Sequence, residues 1–132
     1  MTSIVYIEDD AFSRQIMTLM LTRKMGYSQV TVLEDSHNFL QKIEALPALP
    51  DVVFVDIHMQ PHDGFYVLKC LRALDKFLSV RIVAVTASVM NEEVELLRQA
   101  GFDGVIGKPL DTGSFPDLFE RILKGEKVWR PT

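Results

Sequence analysis

The feature that most constrains this chain is a short apolar run, residues 52–55, which ends on the carboxylate of Asp56. The run is rich in valine and does not alternate with polar residues, which is typical of a strand covered on both faces by helices. An acid at the carboxyl end of such a strand lies where open α/β sheets bind their ligands. The rest of the chain is therefore expected to build a site around Asp56.

Four further short apolar runs alternate with segments whose apolar residues recur at helical spacing. The predicted strands are residues 4–7, 30–33, 52–55, 80–85 and 105–106. A helix is predicted after each of them. This alternation predicts an α/β fold, a doubly wound five-stranded parallel sheet with right-handed crossovers and helices on both faces.

Capping residues and glycines predict where the helices begin and end. Asp10 can cap the first helix, which Gly26 ends. Gly64 opens the third helix. The residues at helical spacing in the first helix are Phe12, Ile16, Leu19, Met20 and Arg23. The caps predicted for the second, fourth and fifth helices are Asp35 or Ser36, Asn91, and Asp111 or Ser114.

Polar residues follow the carboxyl ends of four of the predicted strands. In chain order they are Glu8, Asp9 and Asp10, then Asp56, then Thr86, and finally Lys108. Because the carboxyl ends of parallel strands meet at one edge of a sheet, these side chains can converge on one rim. Taken singly, each has a simpler interpretation as a helix cap, a turn residue, a strand residue or a surface lysine. Their order along the chain makes the set far more specific than any member.

The acids on this rim predict a cation site. Two carboxylates about 4 Å apart repel by about 4 kcal/mol at an effective dielectric of about 20, so several together need a cation. Oxygen ligands without cysteine favour a hard ion such as Mg²⁺. We expect Asp9 and Asp56 to bind it directly and Glu8 to act through a water.

The same rim predicts phosphoryl chemistry. A metal ion, the amine of Lys108 and the hydroxyl of Thr86 together form a set that suits a phosphoryl group. A carboxylate at the centre of that set can itself accept the group and become an aspartyl phosphate. Asp56 is the candidate acceptor.

The ordered motifs resemble the receiver domain of two-component response regulators. They are Ile-Glu-Asp-Asp from residue 7, Val-Asp-Ile-His-Met from residue 55, Asp-Gly at 63, Val-Thr-Ala from residue 85 and Gly-Lys-Pro-Leu from residue 107. The resemblance covers residues 3 to about 124. It implies a flavodoxin-like sheet in the order 2-1-3-4-5 with five helices, a receiver domain over residues 1–124, and a short tail over residues 125–132. We expect this tail, which contains Trp129, to be loosely ordered, and the alternative is a segment that docks on a surface.

The resemblance also implies a role for each site residue. Asp56 would take a phosphoryl group from a histidine kinase or a phosphotransfer protein. Glu8 and Asp9 would form the acidic pair for Mg²⁺, with the backbone carbonyl of His58 as a further ligand. Thr86 and Lys108 would contact the phosphoryl oxygens.

The resemblance implies further that the bond between Lys108 and Pro109 is cis. The phosphorylated protein would present a changed surface of the fourth helix, fifth strand and fifth helix to a downstream protein. Two departures from the family pattern stand out. Gln60 precedes Pro61 where the family usually has proline directly after Met59, which predicts a reshaped loop. Val105 stands where many members carry an aromatic residue that moves on activation.

Bulk properties narrow the remaining alternatives. A net charge of −4 and a pI near 5.3 argue against direct nucleic-acid binding. With one cysteine and no signal or membrane segment, we expect a cytoplasmic protein. The resemblance implies a stand-alone signalling protein, similar to the chemotaxis regulators, that is not an enzyme and is a monomer or weak dimer. Two alternatives stay open: a receiver cut from a longer regulator, and a Mg²⁺-dependent phosphohydrolase with Asp56 as nucleophile. The second is disfavoured because His58 stands where such enzymes usually carry another aspartate.

Overall fold

A computed structural model describes residues 1–129, and within this part of the chain five strands form one parallel sheet. The strands are β1 (Ser3–Ile7), β2 (Gln29–Leu33), β3 (Val52–Asp56), β4 (Arg81–Thr86) and β5 (Val105–Gly107). Their order is β2-β1-β3-β4-β5, which confirms the predicted doubly wound, flavodoxin-like arrangement. The strand that carries Asp56 lies at the centre of the sheet.

Five helices cover the two faces of the sheet within the same described residues. They are α1 (Ala11–Thr18), α2 (Phe39–Glu44), α3 (Gly64–Arg72), α4 (Asn91–Ala100) and α5 (Phe115–Leu123). Successive side chains of β3 point to opposite faces of the sheet and so contribute to two separate hydrophobic cores. Val53 and Val55 face the core formed with α2, α3 and α4, whereas Val52 and Phe54 face the core formed with α1 and α5. Both faces are therefore apolar, as the unbroken valine run predicts.

The first helix changes geometry along its length. Asp10 caps it as predicted, since its carboxylate accepts the N–H of Ser13 at 2.8 Å, but α1 then continues as a π-helix over Leu19–Lys24. The buried residues are Met17, Met20 and Leu21. Phe12 is 64% exposed and Leu19 is 43% exposed, so not every apolar residue at helical spacing faces the core. The helix carries more apolar residues than one face can bury. The π-helical turn changes which residues of the following segment face the sheet.

Two predicted caps are also wrong. Helix α2 begins later than predicted, after Asn38 in the left-handed conformation (φ 54°), because Ser36 is buried in a contact with another loop. Met90 occupies the N-cap of α4, and Asn91 is the first helical residue. Ser114 does stand at the N-cap of α5, although its side chain makes no capping hydrogen bond.

The segment from the end of α5 to Trp129 is ordered against the sheet. Gly125 turns the chain with φ 94°, and Val128 then pairs with Gly104 next to β5. The predicted loose order is therefore wrong for residues 125–129, because β5 is an edge strand with free backbone groups that this segment uses. The last three residues of the predicted tail lie outside the described residues. Along the described chain, the helices are too short and too polar to cross a membrane.

Candidate functional site

The two central strands bring the acids together. Ile7 of β1 is paired with Val55 of β3, so Glu8 and Asp56 leave neighbouring strands at the same level. Carboxylate oxygens of Glu8, Asp9 and Asp56 all lie within 4.8 Å of one another. Glu8 and Asp56 are buried while Asp9 is exposed. Three carboxylates that converge from one open side fit a hard divalent cation such as Mg²⁺.

Lys108 completes the cluster. Its Nζ donates to both carboxylate oxygens of Glu8 at 3.2 Å and to Oδ1 of Asp56 at 3.3 Å. The lysine side chain is only 19% exposed. Removing one partner of such a buried ion pair would leave an uncompensated charge. The geometry therefore gathers a positive charge, two buried acids and a solvent-facing acid at the end of the central strands.

The environment of Asp56 makes its carboxyl group unusually basic. Burial, then the hydrogen bond and the negative charge of Glu8, raise the pKa of Asp56 to about 7, against the opposing effect of Lys108. Burial opposes the charged form of Lys108, but Asp56 and Glu8 outweigh it and raise the pKa of the lysine. Near neutral pH a proton and a cation thus compete for Asp56, because a metal ligand must be deprotonated.

Thr86 and Lys108 are held together by the backbone. Thr86 is buried at the end of β4, and its carbonyl accepts the N–H of Lys108 at 2.9 Å. Its hydroxyl accepts the N–H of Ser88 at 3.1 Å. The peptide bond between Lys108 and Pro109 is cis, as the resemblance implies. The structure thus places the two residues predicted to contact a phosphoryl group on adjacent strand ends beside Asp56.

A serine from another loop holds the loop that follows Asp56. Ser36 is fully buried; its hydroxyl donates to the carbonyl of His62 at 2.6 Å and accepts the N–H of His62 at 2.7 Å. Its own N–H donates to the carbonyl of Gln60 at 3.3 Å. His58 is exposed, and its N–H donates to Asp56 at 3.4 Å. Ser36 therefore supports the backbone of the loop that carries His58.

Gly64 keeps the other end of this loop close to the sheet. A Cβ atom at Gly64 would lie 2.7 Å from Cδ1 of Ile57 and 2.9 Å from the carbonyl oxygen of Asp56. Any side chain at this position would push the loop away from β3. The glycine that was predicted only to open α3 thus also sets the position of the loop.

Sequence reasoning missed two residues that support the site, Ser36 and Tyr6. The hydroxyl of Tyr6 donates to Oε1 of Glu8 at 2.5 Å, and the ring is buried against Phe54. Burial, followed by the neighbouring Glu8, raises the pKa of the Tyr6 hydroxyl, so it remains a donor. Strand alternation was the available signal, because Tyr6 of β1 and Glu8, which directly follows β1, are two residues apart and so face the same side. Ser36 had no comparable signal.

A profile for the response regulator receiver domain matches residues 4–120. The chain belongs to the response regulator receiver family. The polar-differentiation response regulator DivK of Brucella anthropi is 25% identical over 122 residues, which cover 92% of this chain and 95% of DivK. Hybrid signal transduction histidine kinase L of Dictyostelium discoideum is 27% identical over 124 residues, and the chain spans only 7% of its length.

Solved structures agree on the fold. Chemotaxis response regulator CheY4 of Vibrio cholerae superposes with a TM-score of 0.81 at 23% identity, over 92% of this chain and 98% of CheY4. The receiver domain of a sensor histidine kinase from Pseudomonas aeruginosa PAO1 gives a TM-score of 0.79 at 24% identity, over 93% of this chain and 98% of that domain. That structure holds a magnesium ion coordinated in its active-site cleft.

Proposed function

We propose that this receiver domain accepts a phosphoryl group on Asp56 in a Mg²⁺-dependent step and thereby switches a protein-binding surface. The observation that carries this proposal is the bridge from Lys108 to both Glu8 and Asp56 at the end of the central strand. A lone surface lysine would not lie in this cluster. The site offers a nucleophilic oxygen, a cation position and a mobile positive charge within one small volume.

The chemistry follows from what each side chain can supply. An oxygen of Asp56 attacks the phosphorus atom of a phosphohistidine, forming an oxygen–phosphorus bond as the nitrogen–phosphorus bond breaks, and the freed imidazole takes up a proton. Mg²⁺, held by Glu8, Asp9, Asp56 and the carbonyl of His58, would neutralise charge on the phosphoryl oxygens. Lys108 would move from Glu8 toward the new phosphoryl group, and the hydroxyl of Thr86 would leave Ser88 to donate to it.

The switch rests on the charge that phosphorylation adds. A phosphoryl group brings about −1.5 to −2 charges and three acceptor oxygens. Recruiting Thr86 and Lys108 to it would bias the segments that join β4 to α4 and β5 to α5. We place the output surface on α4, β5 and α5, with a histidine kinase or phosphotransfer protein as donor and a further protein as receiver of the signal.

The remaining assignments are part of the same proposal. We assign the domain to the cytoplasm, as a monomer or weak dimer that acts on no substrate other than its own phosphoryl group. Residues 1–124 would be the signalling unit. Relatives include proteins of both kinds, since the match covers 95% of DivK but only 7% of histidine kinase L.

Intact-mass spectrometry after incubation with acetyl phosphate tests the proposal. The wild type is expected to gain one phosphoryl group with Mg²⁺ and none with a chelator. Asp56→Asn should gain none, while the control Asp75→Asn, at an exposed position, should behave as the wild type.

Beryllium fluoride, which mimics a phosphoryl group, covers the case of rapid hydrolysis. Fluorine NMR should show it bound to the wild type with Mg²⁺ and absent from Asp56→Asn. A wild type that neither gains mass nor binds beryllium fluoride would refute the phosphoacceptor role.

A further inference from the structure

The segment after α5 adds to the free edge of the sheet. The N–H of Val105 donates to the carbonyl of Val128 at 2.8 Å, and Val128 pairs in parallel with Gly104. Edge strands present unpaired backbone groups that a further peptide can use. Here the peptide that uses them is the chain's own C-terminal segment, residues 127–129.

Consecutive side chains of this segment enter opposite layers, as in a strand. Val128 is 3% exposed and lies in the core with α1 and α5. Trp129 packs against the other core, and the Arg98 guanidinium of α4 lies 5.5 Å from its ring centroid. The segment is therefore fixed to β5 through its backbone and to α4 through the tryptophan ring.

The edge of the sheet is also shaped to receive this segment. A Cβ atom at Gly104 would lie 3.1 Å from the carbonyl oxygen and 3.3 Å from the nitrogen of Val128. A side chain there would force the segment outward. Upstream, Glu126 forms an ion pair with Arg121 of α5, and its N–H donates to the Arg121 carbonyl at 3.0 Å. Contacts from three elements thus hold the segment in place.

We infer that the groove between β5 and α4 is a docking site whose occupant is the chain's own residues 127–129, and that this docking is coupled to the state of Asp56. The inference rests on the proposed phosphoacceptor function. Thr86 ends β4 and begins the connection to α4, while its carbonyl binds Lys108 after β5. A movement of Thr86 toward a phosphoryl group changes the position of α4 relative to β5. Trp129 spans those two elements.

The direction of the coupling follows from the contacts. Arg98 and Trp129 are in contact in the arrangement where Lys108 pairs with Asp56, so they stabilise that arrangement. Because coupling between two sites is reciprocal, occupation of Asp56 loosens Trp129, and loosening Trp129 favours occupation of Asp56. A partner that binds α4 and β5 would then compete with residues 127–129 for the same surface.

Trp129 is the only tryptophan, so its fluorescence reports this contact directly. Beryllium fluoride with Mg²⁺ is the probe, and fluorine NMR measures its binding independently. In the wild type, binding should shift tryptophan emission to longer wavelength and increase quenching by acrylamide. Asp56→Asn should show neither change.

Arg98→Gln tests the contact at an exposed position, where the substitution leaves the core intact. Without beryllium fluoride, this variant should already show increased quenching of tryptophan by acrylamide. Half-saturation should need about two- to fivefold less beryllium fluoride, the factor expected for loss of an exposed cation–π contact. Gln99→Ala, also exposed on α4, is the matched control and should behave as the wild type.

Two results would overturn the inference while leaving the phosphoacceptor role intact. One is beryllium fluoride bound by fluorine NMR with unchanged tryptophan emission. The other is that Arg98→Gln and Gln99→Ala show the same acrylamide quenching and reach half-saturation at the same beryllium fluoride concentration. A wild type that binds no beryllium fluoride would instead overturn the proposed function itself, and the coupling with it.

Discussion

Two buried polar clusters support the rim around Asp56, and they are built from different kinds of group. In the first, Tyr6 and Lys108 donate to the charged carboxylate of Glu8. In the second, the neutral hydroxyl of Ser36 exchanges hydrogen bonds with the backbone of His62. The first cluster should respond to pH and metal, whereas the second should only hold a loop in place. The comparison separates the chemistry of the site from the scaffold that shapes it.

The largest expected effect comes from the neutral cluster. Ser36→Ala removes one acceptor and one donor and leaves the N–H and carbonyl of the half-buried His62 without these partners. We expect the free energy of unfolding to fall by about 2–3 kcal/mol. Urea unfolding should give the same loss between about pH 5 and pH 8, with or without Mg²⁺.

Ser79→Ala, at an exposed position, is the matched control and should change stability by less than about 0.5 kcal/mol. A loss from Ser36→Ala that varies with pH or metal would break the distinction between the two clusters.

The second effect tests the charged cluster. The pKa of Asp56 is raised from 3.8 to about 7 on folding, so the folded protein binds this proton more tightly than the unfolded chain. The free energy of unfolding should therefore fall as pH rises from about 4 to about 7. Asp56→Asn should remove this loss and be more stable than the wild type by about 2 kcal/mol above about pH 7, with little difference near about pH 4.

Paired urea titrations of the wild type and Asp56→Asn across this pH range measure the difference directly. Mg²⁺ should restore part of the stability of the wild type at high pH, because the ion binds only the folded site. Equal stabilities at every pH would mean that burying the ionised Asp56 carboxylate costs nothing, contrary to the geometry.

Tyr6→Phe sharpens the comparison because it removes one hydroxyl and keeps the ring. Loss of a hydrogen bond to a charged group should cost about 1.5 kcal/mol of stability. Glu8 would also lose its orientation, so Mg²⁺ should bind about tenfold more weakly, as is typical when a group that orients a ligand is removed. The rise in melting temperature with Mg²⁺ concentration measures this affinity.

Ser36→Ala is the natural reference for Tyr6→Phe, since it should lower stability without a comparable change in Mg²⁺ affinity. If both variants weakened Mg²⁺ binding equally, the loop would matter to the metal as much as the acids do.

The smallest effect concerns a contact outside both clusters. Asp10 caps α1 through the N–H of Ser13 and is exposed. Asp10→Ala should cost about 1 kcal/mol of stability, the usual size of an N-cap. Mg²⁺ affinity should stay within about twofold of the wild type, since Asp10 lies outside the predicted ligand set. A tenfold loss would place Asp10 among the groups that bind the ion.

Local patterns in the sequence determined the alternation of strands and helices, the strand ends on which Asp56 and Lys108 lie, and their convergence on one rim. These features depend on side-chain periodicity and on residues next to each other in the chain, which a single sequence displays. The strand order did not follow from these local patterns. It was predicted from the resemblance to a known family, and the structure confirms it.

Only the tertiary structure decided how the rim is supported and what covers the edge of the sheet. The contact of Ser36 with His62 joins residues 26 positions apart, and no local pattern predicts that pairing. Trp129 finds its place only once β5 has become an edge strand beside α4. Such contacts form between residues that are distant in the sequence. They depend on which backbone groups the folded sheet leaves unpaired, and the packing of the whole domain decides this.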